Sequence, residues 1–355
     1  MTLQAIADRV GVSRMTVSNA FSRPDQLSAG LRDRILAVAD ELGYAGPDPA
    51  ARALASGSAG AVGLLLSDTL DYALTDDVAM AFLAGVAERL TPTGLALTLL
   101  SASPQDGIVP ARDVALDGAL VYSCDSESTA VGWLLRRRLP LVFVDQAAAP
   151  GIPSVNIDDR SGARAVAQHV VDLGHRSIAL VTSGFGGTYG LLDDPLASIA
   201  GHSERQRVLG WLDVLGPARI QPTVVRRPHA DPFDTGYGAA KILLAADPQA
   251  TAILCYSDAL ALGVIRAIRD AGLRVPDDIS VAGFDDSPLG RRSVPTLTTV
   301  RQDVTAKGRA AADALVTTIQ RSRNGPAGRA RHLVLPTNLL VRESTMAPPR
   351  SAHRP

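Results

Sequence analysis

From residue 61 onward the chain repeats one pattern, a short apolar run followed by an amphipathic stretch of helical length. The runs are AVGLLLS (61–67), LALTLLS (95–101), GALVYS (118–123), LPLVFVD (139–145), SIALVTS (177–183), TAILCYSD (251–258) and ISVAGFDD (279–286). They are apolar at consecutive rather than alternate positions, as a strand buried on both faces must be. Between them lie stretches such as 78–90, 128–138, 159–173, 204–215, 235–246 and 258–271, long enough for crossover helices. This α/β alternation predicts parallel sheets with helices on both faces, because a parallel pair can be joined only by a crossover. Two such sheets fit the span 60–344 better than one.

Residues 1–57 read differently. Thr2 can cap a helix over 3–10 that Gly11 breaks, Ser13 can cap a second to about Phe21, and Ser28 a third over 29–42 that Gly43 stops. The expected organisation is a helix-turn-helix head over 1–45 and a linker over 46–59 rich in Gly, Pro, Ser and Ala. Within the linker Asp48 is a good N-cap, Pro49 suits the first helical position, and AARALA follows.

The second helix carries the functional signal. Val17, Ala20 and Phe21 recur at i, i+3 and i+4 and should pack on Ile6 and Val10. Met15, Ser18, Asn19 and Ser22 then face outward, with Arg14 on the N-terminal flank. Such a face suits a DNA major groove, where Arg forks onto guanine, Asn pairs with adenine and Met touches a thymine methyl. Hydroxyls of Ser and Thr suit phosphate contacts. The alternative is a helical protein-interaction module. It is favoured by charge, since Arg9, Arg14, Arg23, Arg32, Arg34 and Arg52 balance Asp8, Asp25, Asp33, Asp40, Glu41 and Asp48. None of those acids lies in the second helix.

TLQAIADRVGVSRMTVSNAF, followed by LSAGLRDRILAVADELGY and the AARALA segment, resembles the head of the lactose/galactose repressor (LacI/GalR) family of transcription regulators. The resemblance continues to about Ser344, where LLVRES looks like the family's ending. It implies that Arg14, Met15 and Asn19 read bases, and that Ser13, Thr16, Ser18 and Ser22 contact phosphates. It also implies a hinge helix with Ala51, Arg52 and Leu54, which in the family enters the minor groove with its leucine wedged between base pairs. Ser22 stands where the family commonly has Asn, and Met15 is an unusual reader, so the operator sequence does not carry over. So short a hinge helix is unstable alone, and 48–55 are expected to be disordered in the free chain and to fold when two hinges pair on DNA. The partners implied are a near-palindromic double-stranded operator, a small-molecule effector and a second copy, as homodimer or tetramer.

An open α/β sheet binds ligands beyond the carboxyl ends of its strands. Those ends carry Ser67-Asp68, Asp145, Ser183, Ser257-Asp258 and Asp285-Asp286. Converging carboxylates and hydroxyls suit a polyhydroxylated ligand, although any one such Asp read singly is more often a helix cap or turn residue. Asp158 and Asp159 read as caps of the following helix. The resemblance implies a two-lobed periplasmic-binding-protein-like fold with three strands crossing between lobes. It places effector contacts at Asp145, Arg207, Ser257 and Asp285. Relatives carry a ligand-stacking aromatic where this chain has Asp231, with Phe233 two residues on, and Ser257 replaces a frequent Asn. A sugar is the first expectation for the effector. The expected N-lobe is 60–157 with 300–325, the C-lobe 158–299 with 326–344, and 345–355 a disordered tail.

Other chemistry is not signalled. GFGGTYG at 184–190 lacks the GxGxxG spacing, and there is no GxxxxGK[ST], GxSxG, HExxH or CxxC pattern, so neither enzyme activity, nor a cofactor, nor a metal is expected. Cys124 and Cys255 each end an apolar run far apart in the chain, which excludes a disulfide framework and suits a reducing cytoplasm. The first ten residues lack a secretory apolar core, and no uncharged apolar run nears the ~20 residues of a membrane span. A solute-binding protein would need such a leader and no head, the reverse of what is read here.

Overall fold

The computed structural model describes residues 2–349 apart from 47, 68, 69, 103–106, 125, 126, 185, 186, 198, 229, 230, 248 and 326–328. Of the sequence expectations, Asp68 and positions 350–355 of the tail lie outside the described residues. The chain divides into two compact units, Met1–Gly60 and Ala61–Pro355.

The first unit holds α1 (Leu3–Val10), α2 (Arg14–Ser22), α3 (Ala29–Glu41) and α4 (Pro49–Ser56). Thr2 and Ser13 accept capping bonds from the amides of Ala5 and Thr16. Gly11 ends α1 at φ 76°, a left-handed conformation that only glycine adopts without strain. Ile6, Ala7, Val10, Val17, Ala20, Ile35 and Ala39 make the small core, with Phe21 at its margin edge-on to Tyr44. Arg34 donates to the Val10 carbonyl at 2.8 Å, filling an acceptor that the end of α1 leaves open. Two expectations change. Ser28 occupies the N-cap position of α3 but its hydroxyl makes no capping bond. Residues 49–56 are helical in the single chain rather than disordered. Asp48 accepts from the Ala51 amide at 3.0 Å, Pro49 fixes the first turn, and the alanines favour helix, which together offset the short length.

The second unit carries two main sheets. The strands are β1 (Ala61–Leu66), β2 (Ala96–Ser101), β3 (Gly118–Tyr122), β4 (Leu141–Val144), β5 (Ser154–Ile157), β6 (Ile178–Gly184), β7 (Gly190–Leu192), β8 (Thr223–Pro228), β9 (Ala252–Cys255), β10 (Ser280–Ala282), β11 (Thr299–Gln302), β12 (His332–Leu335) and β13 (Thr337–Leu340). Between them run α5 (Leu70–Ala73), α6 (Asp77–Leu90), α7 (Pro110–Asp113), α8 (Thr129–Arg136), α9 (Asp159–Asp172), α10 (His202–Leu215), α11 (Pro232–Ala246), α12 (Asp258–Asp270), α13 (Pro288–Arg292) and α14 (Val304–Asn324).

The N-lobe sheet has the order β12-β5-β4-β3-β1-β2, all parallel. The C-lobe sheet has the order β10-β9-β6-β8-β7 and is parallel except for β7, which joins β8 antiparallel. β11 and β13 pair antiparallel beside the C-lobe. The chain crosses between lobes from β5 into α9, from β11 into α14, and from β12 into β13. Two boundaries expected from the sequence therefore move. β12 belongs to the N-lobe, because its backbone pairs in parallel with β5 from His332 to Leu335 and so completes that sheet's edge. β11 packs Val300 with Phe284 in the C-lobe core, so the N-lobe resumes only at α14.

Close helix contacts hold each lobe. Gly85 of α6 and Gly308 of α14 face each other's backbone, and a Cβ at either would strike it. Gly236 of α11 and Gly263 of α12 do the same in the C-lobe. The expected disordered tail is instead ordered at its start. Thr345 shares hydrogen bonds of 2.9 Å with Thr298 and His169, and the Met346 amide donates to Ser280 at 3.0 Å. Among the described residues no helix is long and apolar enough to cross a membrane.

Candidate functional site

The sequence points to two places, and the structure presents them in opposite ways. On α2, Val17 and Ala20 turn inward while Arg14 and Met15 are exposed, Met15 to 70%. Ser18 and Asn19 lie half-exposed on the same outward side. Local bonds set their poses. Ser13 is the cap of the helix and also pairs with the Thr16 hydroxyl at 2.9 Å, Ser22 donates to the Ser18 carbonyl at 2.9 Å, and Asn19 donates to Gln26 at 3.3 Å. On α4, Ala51, Arg52 and Leu54 are exposed, and Leu54, at 88%, is the most exposed of the large apolar side chains described. An apolar side chain held out so far on a short helix has no packing role within its own unit.

In the second unit, a cavity of about 360 Å³ opens at the carboxyl ends of both sheets, as the topology dictates. All four effector positions expected from the sequence, Asp145, Arg207, Ser257 and Asp285, line it. So do Ser67, Ser183, Asp231 and Phe233. Asp145 follows β4 at φ 54° and Asp285 follows β10 at φ 121°. Both are strained conformations for residues with a side chain, and both turn a carboxylate into the cleft. Ser257 caps α12 through the Leu260 amide, and Asp231 caps α11 through the Asp234 amide.

A chain of hydrogen bonds runs along the cavity floor from one lobe to the other. Lys307 of α14 donates to Asp145 Oδ2 at 2.5 Å and to Gln302 Oε1 at 3.0 Å. Gln302 in turn donates to Asp285 Oδ1 at 2.6 Å, and that oxygen lies 3.6 Å from Arg207 Nη1. Arg207 is completed by Asp159 at 2.7 Å and by the Tyr256 carbonyl at 2.6 Å, and its guanidinium lies 3.6 Å over the Phe284 ring. Burial works against the charged guanidinium, but Asp159 and Asp285 outweigh it and hold the Arg207 pKa above its ordinary value. For the carboxyls the balance differs. Burial pushes Asp285 up to about 6 against the pull of Arg207, and pushes Asp258, which bonds Thr299 and the Ser287 amide, up to about 8. Two oxygens of this network, Asp145 Oδ1 and Asp159 Oδ2, are buried without a hydrogen-bond partner among the described residues.

Several of these residues escaped the sequence reading. Asp158 is the α9 cap, as read, but Asp159 instead anchors Arg207. Gln302 ends β11 and Lys307 lies in the first turns of α14, and nothing in their local sequence marks either as part of a site. The one available signal was that Lys307 is one of two lysines in an arginine-rich chain. The Glu204–Arg226 pair, bidentate at 2.8 and 3.1 Å with Arg226 fully buried, was also unforeseen, and Glu204 reaches the cavity. Asp286 reads like Asp285 in sequence but turns away from the cavity into Arg291, Arg301 and Arg342.

Comparison with known proteins gives the family. The model described as "Bacterial regulatory proteins, lacI family" matches residues 2–46, and that described as "Periplasmic binding protein-like domain" matches 167–345. An HTH-type transcriptional regulator of Mycobacterium tuberculosis is 41% identical over 89% of this chain and 90% of its own length. This chain belongs to the LacI family of bacterial transcription regulators. The solved LacI-family folds agree along the whole chain. The lac repressor dimer bound to operator and the anti-inducer ONPF matches with a TM-score of 0.77 at 28% identity over 98% of this chain and 99% of its own, and the CelR–cellobiose complex with a TM-score of 0.68 at 25% identity over 97% and 99%. The two-unit arrangement of helical head and parallel-sheet domain is thus that of a DNA-binding LacI-family regulator, and its relatives are named as regulators.

Proposed function

We propose that this LacI-family regulator acts in the cytoplasm as a homodimeric repressor of a near-palindromic operator, controlled by a sugar held in the inter-lobe cavity. Arg14, Met15 and Asn19 read bases, while Ser13, Thr16, Ser18 and Ser22 contact phosphates. Ala51, Arg52 and Leu54 form the hinge contact in the minor groove, with Leu54 as the wedge. Asp145, Arg207, Ser257 and Asp285 bind the effector. The observation that carries this reading is that the four effector positions, distant in sequence, line one cavity together with further carboxylates and hydroxyls. The sugar class is supported by those carboxylates and hydroxyls and by the cellobiose bound to the similar CelR protein. A ligand that changes lobe closure shifts a two-state equilibrium and so controls DNA affinity without touching the reading helix.

Binding-site selection with the full-length protein, repeated with a panel of sugars, tests the reading. A recovered near-palindrome from which one sugar releases the protein supports it. Recovery of random sequence would remove the DNA-reading assignment, and a selected operator indifferent to every sugar would remove the effector assignment.

A further inference from the structure

We propose that the ligand of this cavity is a hydroxylated compound without an anionic group, and that the cavity rejects the phosphate ester of the compound it accepts. The inference rests on the effector reading above and narrows it.

The cavity wall carries Asp76, Asp77, Asp145, Glu204, Asp231 and Asp285, against Arg207 as the one cationic side chain among the described lining residues. Arg207 is engaged by Asp159, the Tyr256 carbonyl and Asp285, and it is 4% exposed. Lys307 behind the wall is held by Asp145 and Gln302. Arg226 is clamped in both prongs by Glu204. A phosphate group brings between one and two negative charges and calls for a guanidinium fork, an ammonium or a helix N-terminus. Here the cations already have carboxylate partners.

The helix N-termini at the cavity do not supply the lack. Asp76 accepts the first amides of α6 and Asp77 follows it, Glu204 lies in the first turn of α10, Asp231 caps α11, and Asp258 opens α12. At α6, α10 and α11 the positive helix end that could draw an anion is already answered by an acid of its own first turn or cap. What the wall offers is acceptors. Asp145 Oδ1, on a residue 7% exposed, lacks a hydrogen-bond partner, and a buried carboxylate oxygen needs a donor. A ligand hydroxyl can donate to the carboxylates that line the cavity, whereas a phosphate oxygen beside them meets a like charge.

The test uses the full-length protein and a panel of uncharged probes, including ribose, galactose, cellobiose and common polyols, each beside its phosphate ester or uronic acid. Thermal shift finds the binders and calorimetry gives paired dissociation constants. The expected result is an uncharged probe bound at least about 100-fold more tightly than its phosphate ester. The ratio should shrink in 0.5 M salt, because exposed rim carboxylates are screened. It should also fall about tenfold in Asp77→Asn/Asp231→Asn, and the salt arm serves if that variant fails to fold. A phosphate ester that binds as tightly as its parent and releases operator DNA overturns this inference and leaves the regulator reading standing. If no probe binds while operator binding is intact, both the inference and the sugar reading fall.

Discussion

On α2, Arg14, Met15 and Asn19 face outward from a helix whose shape is settled by Val17 and Ala20 on its inner side. At the cavity, Arg207 and Asp285 line the wall as a pair, and Lys307 behind it is joined to Asp285 through Gln302. The head can therefore change what it reads without changing what holds it up. The cavity has no such separation, since three of the four positions proposed to bind the effector, Asp145, Arg207 and Asp285, belong to buried ion pairs whose loss strands a charge. Selectivity for DNA and selectivity for ligand should consequently respond to mutation on different scales.

The strongest test of this contrast is Arg207→Ala. It leaves Asp159 and Asp285 as unpaired buried carboxylates, so unfolding stability in urea should fall by about 3–5 kcal/mol along with ligand response. Stability within about 0.5 kcal/mol of the parent would show that the two regions do not differ in kind. Next in size is Arg14→Ala, which should cost about 1–3 kcal/mol on the preferred operator and relax one position of it. Its melting temperature should not move, and a selected sequence identical to the parent's would remove Arg14 from the readers. Leu54→Ala should weaken operator binding by about 1 kcal/mol and reduce the bend of the DNA at the same time, measured by fluorescence on end-labelled duplexes. Equal bend and affinity would make α4 a tether.

The smallest effect concerns pH. Asp258, pushed up to about 8, holds a proton in the folded state that an ordinary unfolded carboxyl has already lost. Its contribution is full below the unfolded value near 4 and disappears as pH rises through about 8. The melting temperature should therefore drop by a few degrees between pH 7 and 9, and Asp258→Asn should flatten that drop. A flat parent profile would mean that Asp258 is ionised throughout.

The same contrast decides what could be read from the sequence. The face of α2 is a local property, because helical spacing alone separates Val17 and Ala20 from Met15 and Asn19. The strand ends at Asp145, Ser257 and Asp285 were legible too, since each closes an apolar run. What joins them was not. Asp159 has the position of a cap, and only the fold brings Arg207, 48 residues away, within 2.7 Å of it. Lys307 meets Asp145 across 162 residues, and the two adjacent acids Asp285 and Asp286 part ways only because the left-handed backbone there points one into the cleft and the other into three arginines. Spacing along a chain cannot express either relation.

The glycine contacts have a mechanical consequence. Where Gly85 meets α14 and Gly236 meets α12, backbone bears on backbone with no side chain between to bend or change rotamer. Each lobe is stiff at these joints, and compliance is left to the short crossings after β5, β11 and β12. If an effector loads the cleft as proposed, such a body should act like two plates on a three-strip spring and pass the load on as a change of angle. An alanine at Gly308 would pry α6 and α14 apart and turn one plate soft, and the angle would then no longer report what the cleft contains.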